Sequence, residues 1–70
     1  MISYGPLFEL MKKRKISMYK LRKETGLSKR TTYHISLGKP VSLGTLEKIC
    51  DYLNVPIEKV VEIKFDDADN

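Results

Sequence analysis

The feature that most restricts this chain is the run Leu21-Arg22-Lys23-Glu24-Thr25-Gly26-Leu27-Ser28-Lys29-Arg30-Thr31-Thr32-Tyr33-His34-Ile35. A short helix-forming segment ends at Gly26, which takes up a left-handed backbone at little steric cost. Leu27 points back toward a core, and Ser28 offers a hydroxyl to the free N–H groups that open a second helix. Two short helices joined by a turn of about three or four residues form a helix-turn-helix. Whatever else the chain does, it has to hold these two helices at a fixed angle.

The second of them, predicted over residues 29–37, divides into two faces at about 100° per residue. Lys29, Arg30, Tyr33, His34 and Leu37 share one half of the wheel, and Thr31, Thr32 and Ile35 share the other. A basic, aromatic face therefore looks outward while a small, apolar face is left for the core. Gly38-Lys39-Pro40 ends the helix. The helix before it opens at Ile16-Ser17, with Ser17 as the cap and Ile16 facing Leu21 as a hydrophobic staple.

The flanking segments supply the rest of a core. Gly5-Pro6 predicts a helix start, and Tyr4, Leu7, Phe8 and Met11, with Leu10 alongside, make its apolar stripe. Lys12–Lys15 close that helix with cations at its negative end. Val41-Ser42 repeats the staple and cap before a fourth helix striped by Leu43, Leu46, Ile49, Cys50 and Leu53; Gly44 weakens its first turn by ~1 kcal/mol. Asn54 is a left-handed stop, and Val55-Pro56 leads to a short fifth helix with Ile57, Val60 and Val61 as its apolar positions. The alternation in Ile2–Tyr4 and Glu62–Phe65 predicts short strands. Ile63 and Phe65 pair either with Ile2–Tyr4 of the same chain or with a second chain. The expectation is an all-α, compact five-helix domain over residues 1–65, with a small β pairing of its N- and C-terminal ends. Residues 66–70 form an acidic, frayed tail.

Composition narrows the function. Seventy residues allow one domain, which buries only about 60% of the surface its unfolded chain exposes. One cysteine, Cys50, and one histidine, His34, leave no internal disulfide, no CxxC pair and no zinc site. There is no nucleophile with a base and an orienting group, so an enzyme is not expected, nor a cofactor, a metal or a small-molecule ligand. The chain lacks the ~20-residue apolar run of a membrane span and the apolar core of a signal peptide, so no membrane partner and a cytoplasmic location are expected. Ten of the thirteen Lys and Arg side chains lie within residues 12–39, against Glu24 alone, whereas residues 40–70 carry three lysines and seven acids. Such a run serves either as a solvated face or as a surface for a polyanion. Its coincidence with the two-faced helix points to double-stranded DNA.

Ile16-Ser17, Leu21, Thr25-Gly26-Leu27-Ser28, Ile35, Gly38-Lys39, Ser42-Leu43, Leu46, Ile49-Cys50 and Leu53-Asn54-Val55 stand in an order and spacing similar to the lambda-repressor-like (Xre/Cro type) helix-turn-helix family. The resemblance covers about residues 5–62. Met-Ile-Ser-Tyr at the start and Val-Val-Glu-Ile near the end resemble its small stand-alone members, often encoded by bacteria and mobile elements. The resemblance implies a five-helix domain that binds DNA as a transcriptional regulator, often a dimer on an inverted repeat, and a repressor is the reading carried forward.

By the same resemblance Lys29, Arg30 and His34 match positions that meet base edges. Tyr33 either stacks on sugar or a thymine methyl or covers the preceding helix. Thr31 either donates to phosphate or faces the core. Lys39 follows the helix end within reach of phosphate, and Ser17 and Ser28 cap helices whose first N–H groups suit a phosphate. Three positions depart from the family pattern: Met18 replaces a frequent glutamine, Arg22 a small residue, and Ser36 a glutamate. A homodimer, in solution or on DNA, is a further expectation. The alternative function is a protein-interaction module, antirepressor or antitoxin-like, on the same fold.

Overall fold

The computed structural model describes residues 1–65, so the tail at 66–70, expected to be frayed, lies outside the described residues. Strand β1 (Ile2–Ser3) precedes four helices: α1 (Gly5–Arg14), α2 (Met18–Thr25), α3 (Lys29–Ser36) and α4 (Leu43–Leu53). A 3-10 turn at Ile57–Lys59 and strand β2 (Glu62–Ile63) complete the order.

Three helices start behind a serine. Ser17, Ser28 and Ser42 accept the N–H groups of Lys20, Thr31 and Thr45 at 3.0, 3.0 and 3.1 Å. Pro6 occupies the first turn of α1, where its missing N–H is harmless. Helix ends are equally local. Gly26 follows α2 at φ 75° and Asn54 follows α4 at φ 57°, both left-handed. Lys15 ends α1 in the same region at φ 57° and has a Cβ to accommodate there. Arg14, in the last turn of α1, donates through Nη1 to the Leu53 carbonyl at the end of α4. That cation therefore serves a neighbouring helix end as well as its own.

The core is built from Tyr4, Leu7, Met11, Leu21, Leu27, Ile35, Leu46, Ile49, Leu53 and Val60. Helix α2 packs on α3 and α4, and α1 packs on the 3-10 turn. Two stripe residues depart from expectation: Phe8 is 41% and Leu43 76% exposed. Each lies about 80° around its helix from the centre of the buried stripe, at the edge where a neighbour no longer covers it.

The expected fifth helix is a single 3-10 turn, closed by Lys59 N–H to Pro56 O and Val60 N–H to Ile57 O at 3.0 and 2.9 Å. Only three residues separate Pro56 from Val60, and Val60 is committed to the core. Its carbonyl accepts the Leu7 N–H at 3.2 Å, satisfying a donor at the start of α1. The terminal strands pair antiparallel within the chain, Ile2 opposite Ile63 and Ser3 opposite Glu62. The Met1 ammonium donates to Lys64 O and the Lys64 N–H to Met1 O, each at 2.8 Å. Of the two pairings left open for the C-terminal strand, the structure has the one within the chain, and Ile63 and Phe65 remain exposed.

Candidate nucleic-acid interface

Helix α3 is seated by its inner face. Ile35 is fully buried, and Thr32, 3% exposed, donates its hydroxyl to Lys29 O at 3.0 Å and to Ser28 O at 3.3 Å. Thr32 thereby enters the core without an unsatisfied hydroxyl. Leu27, in the turn, is buried and fixes the approach from α2. Lys29, Arg30, Tyr33, Ser36 and Leu37 are consequently exposed, Tyr33 at 60%.

The candidate residues separate into three places. Lys29, Arg30 and Tyr33 line one side of a shallow groove between α2 and α3, with Ser36 one turn beyond Tyr33. Thr31 and His34 sit half-buried on another side of α3 and do not line that groove. Thr31 is engaged at the cap, where its Oγ1 accepts the Ser28 hydroxyl at 3.0 Å while its N–H donates to Ser28 Oγ. Ser17 and Ser28 are exposed at the starts of α2 and α3, and each hydroxyl already accepts a helix N–H.

Lys39 lies beyond the helix end, past Gly38 at φ 75°. Its side chain is exposed, but its backbone is held on both sides: the N–H donates to His34 O at 2.9 Å, and the carbonyl accepts the Tyr4 hydroxyl at 2.7 Å. Burial raises the Tyr4 phenol above its ordinary pKa, opposed in smaller measure by a hydrogen bond from the Val41 backbone.

Two groove residues come from α2 and were not among the sequence-derived candidates. Met18 and Arg22, one helical turn apart, form the wall facing Lys29 and Tyr33. Arg22 is half-buried, and its guanidinium carbon lies 5.4 Å from the centre of the Tyr19 ring. The i, i+3 spacing of Tyr19 and Arg22 on a helix is the signal that finds this pair. Charge on this face has no protein counter-ion, since among the described residues the one ion pair joins Lys64 to Glu62 at 3.9 Å, on the terminal ribbon.

Elsewhere the chemistry is plain. Among the described residues no three His, Cys, Asp or Glu side chains gather as a metal site would require. Burial, then the charges of Asp51 and Glu58, raise the Cys50 thiol above its ordinary pKa. No helix of the described residues is long and apolar enough to cross a membrane.

A comparison with curated proteins returned no match. Among solved structures, the crystal structure of the transcriptional regulator VanUg is similar, at 34% sequence identity and a TM-score of 0.85, over 87% of this chain and 81% of that one. The family model of the Cro/C1-type HTH DNA-binding domain matches residues 7–66, from the first helix past the second strand, and the chain belongs to that family.

Proposed function

We propose that this chain is a sequence-specific transcriptional regulator that lays α3 along the major groove of double-stranded DNA and represses by occupying its site. The observation that carries the reading is the two-sided seating of α3. Thr32 and Ile35 fix it from behind, and Lys29, Arg30 and Tyr33 stand outward with no acidic partner among the described residues. A rigid helix with basic side chains at its N-terminal end suits the major groove, where Lys or Arg reaches guanine O6 and N7. Phosphates are then held by the lysines and arginines of α1 and α2 and by Lys39, which position the domain without reading sequence. Repression needs nothing beyond this face, whereas activation needs a second surface for the transcription machinery.

One domain of this size covers a half-site. A homodimer, in solution or on DNA, would present two copies of α3 about 34–36 Å apart. Exposed Ile63 and Phe65 beside an open ribbon edge support this, and also support the alternative of a protein-interaction module.

Selection from random duplexes followed by titration separates these readings. A preferred site is expected, with Lys29→Ala or Arg30→Ala losing about 1–3 kcal/mol of discrimination at one base pair. No binding even to random duplex at low salt would favour the protein-interaction module. Equilibrium sedimentation, free and with the selected site, reports the dimer, and one copy per palindromic duplex would refute it.

A further inference from the structure

We propose that Arg22, held against the face of Tyr19, grips one DNA phosphodiester from α2 while α3 occupies the groove. The inference rests on the DNA-binding reading above and deepens it, singling out Arg22 and the ring that supports it from the α1 and α2 cations assigned to phosphate there. The guanidinium carbon of Arg22 lies 5.4 Å from the Tyr19 ring centre, within the range of about 6 Å for a cation held by an aromatic face. Its stem is half-buried in the wall of the groove that also contains Met18, Lys29, Arg30, Tyr33 and Ser36. No carboxylate lines that groove.

Lys20 and Lys23, on the same helix, are exposed and lack such a support. Arg22 alone on α2 combines a positive charge, a packed stem and a ring beneath its head. A cation restrained in this way gives up less freedom on binding than one on a free stem. Its planar fork matches the two free oxygens of a phosphodiester. Geometry selects phosphate over base. In a docked helix-turn-helix the second helix enters the groove and the first crosses the sugar–phosphate backbone, so the α2 wall of the groove meets the strand rather than base edges.

The test titrates the full chain on a selected duplex and on a random duplex over a series of salt concentrations, with folding followed by circular dichroism. Arg22→Ala is expected to flatten the slope of log K against log[salt] by about 0.9, which weakens binding roughly 8-fold at 0.1 M salt. The factor should be the same on both duplexes. Arg22→Gln keeps most of the packed stem and should show the same loss, so it stands in if the alanine variant melts early. Tyr19→Leu changes no charge yet should weaken binding roughly 2- to 5-fold through loss of the ring, and Tyr19→Phe should restore it.

A loss on the selected duplex alone, with the slope unchanged, would make Arg22 a base reader and overturn the proposal. Unchanged binding by both Arg22 variants would overturn it too, while leaving the DNA-binding reading intact. Failure of the wild-type chain to bind either duplex would overturn both.

Discussion

Replacing Tyr4 with phenylalanine removes one oxygen and nothing else, and the structure gives that oxygen a specific task. The Tyr4 ring is 2% exposed, and its hydroxyl donates to the Lys39 carbonyl at 2.7 Å across 35 residues of sequence. Phenylalanine fills the same space, so the transfer term of the ring is kept and the hydrogen bond is the difference. A net hydrogen bond contributes about 0.5–1.5 kcal/mol, and a carbonyl left partly shielded from water raises the loss to about 1–2 kcal/mol. In a domain of this size each kcal/mol moves Tm by about 4–8 °C, so Tyr4→Phe should melt about 5–15 °C lower at neutral pH.

The pH dependence gives an independent check. The Tyr4 phenol is raised above its ordinary value of 10.0, chiefly by burial. The unfolded chain therefore forms phenolate first, and the contribution is fully present below pH 10.0 and is lost as the pH rises through the higher folded-state pKa. Tyr4→Phe has no such titration, so the gap between the two melting temperatures should narrow above pH 10.0. Cys50, raised in the same direction, titrates in both chains and cancels in the difference. Thermal denaturation followed by circular dichroism across pH 7–11 measures both effects. Equal melting within about 1 °C at pH 7, together with a constant gap at high pH, would refute the account of this hydroxyl.

Two other substitutions test single residues. Ser28→Ala should cost about 1 kcal/mol by stripping the cap from α3, whereas Ser28→Asp keeps the cap and should melt near wild type. The aspartate nevertheless places a negative charge at the proposed phosphate-facing end of α3, so duplex affinity should fall; unchanged affinity in a titration would remove Ser28 from the interface. Lys15→Gly should raise stability by about 0.5–1 kcal/mol, because the relief of a left-handed Cβ exceeds the entropy added to the unfolded chain. A lower melting point of that variant in the absence of DNA would contradict the strain assigned to Lys15.

What the sequence made legible follows the range of each rule. Caps at Ser17, Ser28 and Ser42 and stops at Gly26 and Asn54 depend on a few consecutive residues, so they can be read without a partner. Faces are read nearly as well, since Leu46, Ile49 and Leu53 repeat at helical spacing and Thr32 and Ile35 oppose Lys29 and Tyr33. The edges of faces are not, because periodicity ranks Phe8 with Leu7 although Leu7 is fully buried and Phe8 is 41% exposed. Ile57, Val60 and Val61 show the same limit in another form. Their spacing fits a helix, yet the Val60 carbonyl is claimed by Leu7, and one 3-10 turn is all that remains between Pro56 and the core.

The interface adds a case in which two local signals went unjoined. Arg22 registers in the sequence as a departure from a small residue and Tyr19 as one more exposed aromatic, but at i, i+3 they form one supported cation. Least legible of all is the bond from Tyr4 to Lys39, which no spacing encodes. Tyr4 directly follows β1, whose pairing with β2 ties Met1 to Lys64, and Lys39 follows the helix that would read DNA. The end of α3 is thus held from the opening of the chain. Loss of the terminal ribbon should therefore loosen Lys39 while leaving Thr32 and Ile35 to hold the start and middle of the helix. The phosphate contact proposed for Lys39 and the base contacts proposed for Lys29 and Arg30 would in this way be anchored by different parts of the fold, and a ribbon variant such as Ile2→Asp should weaken the first more than the second.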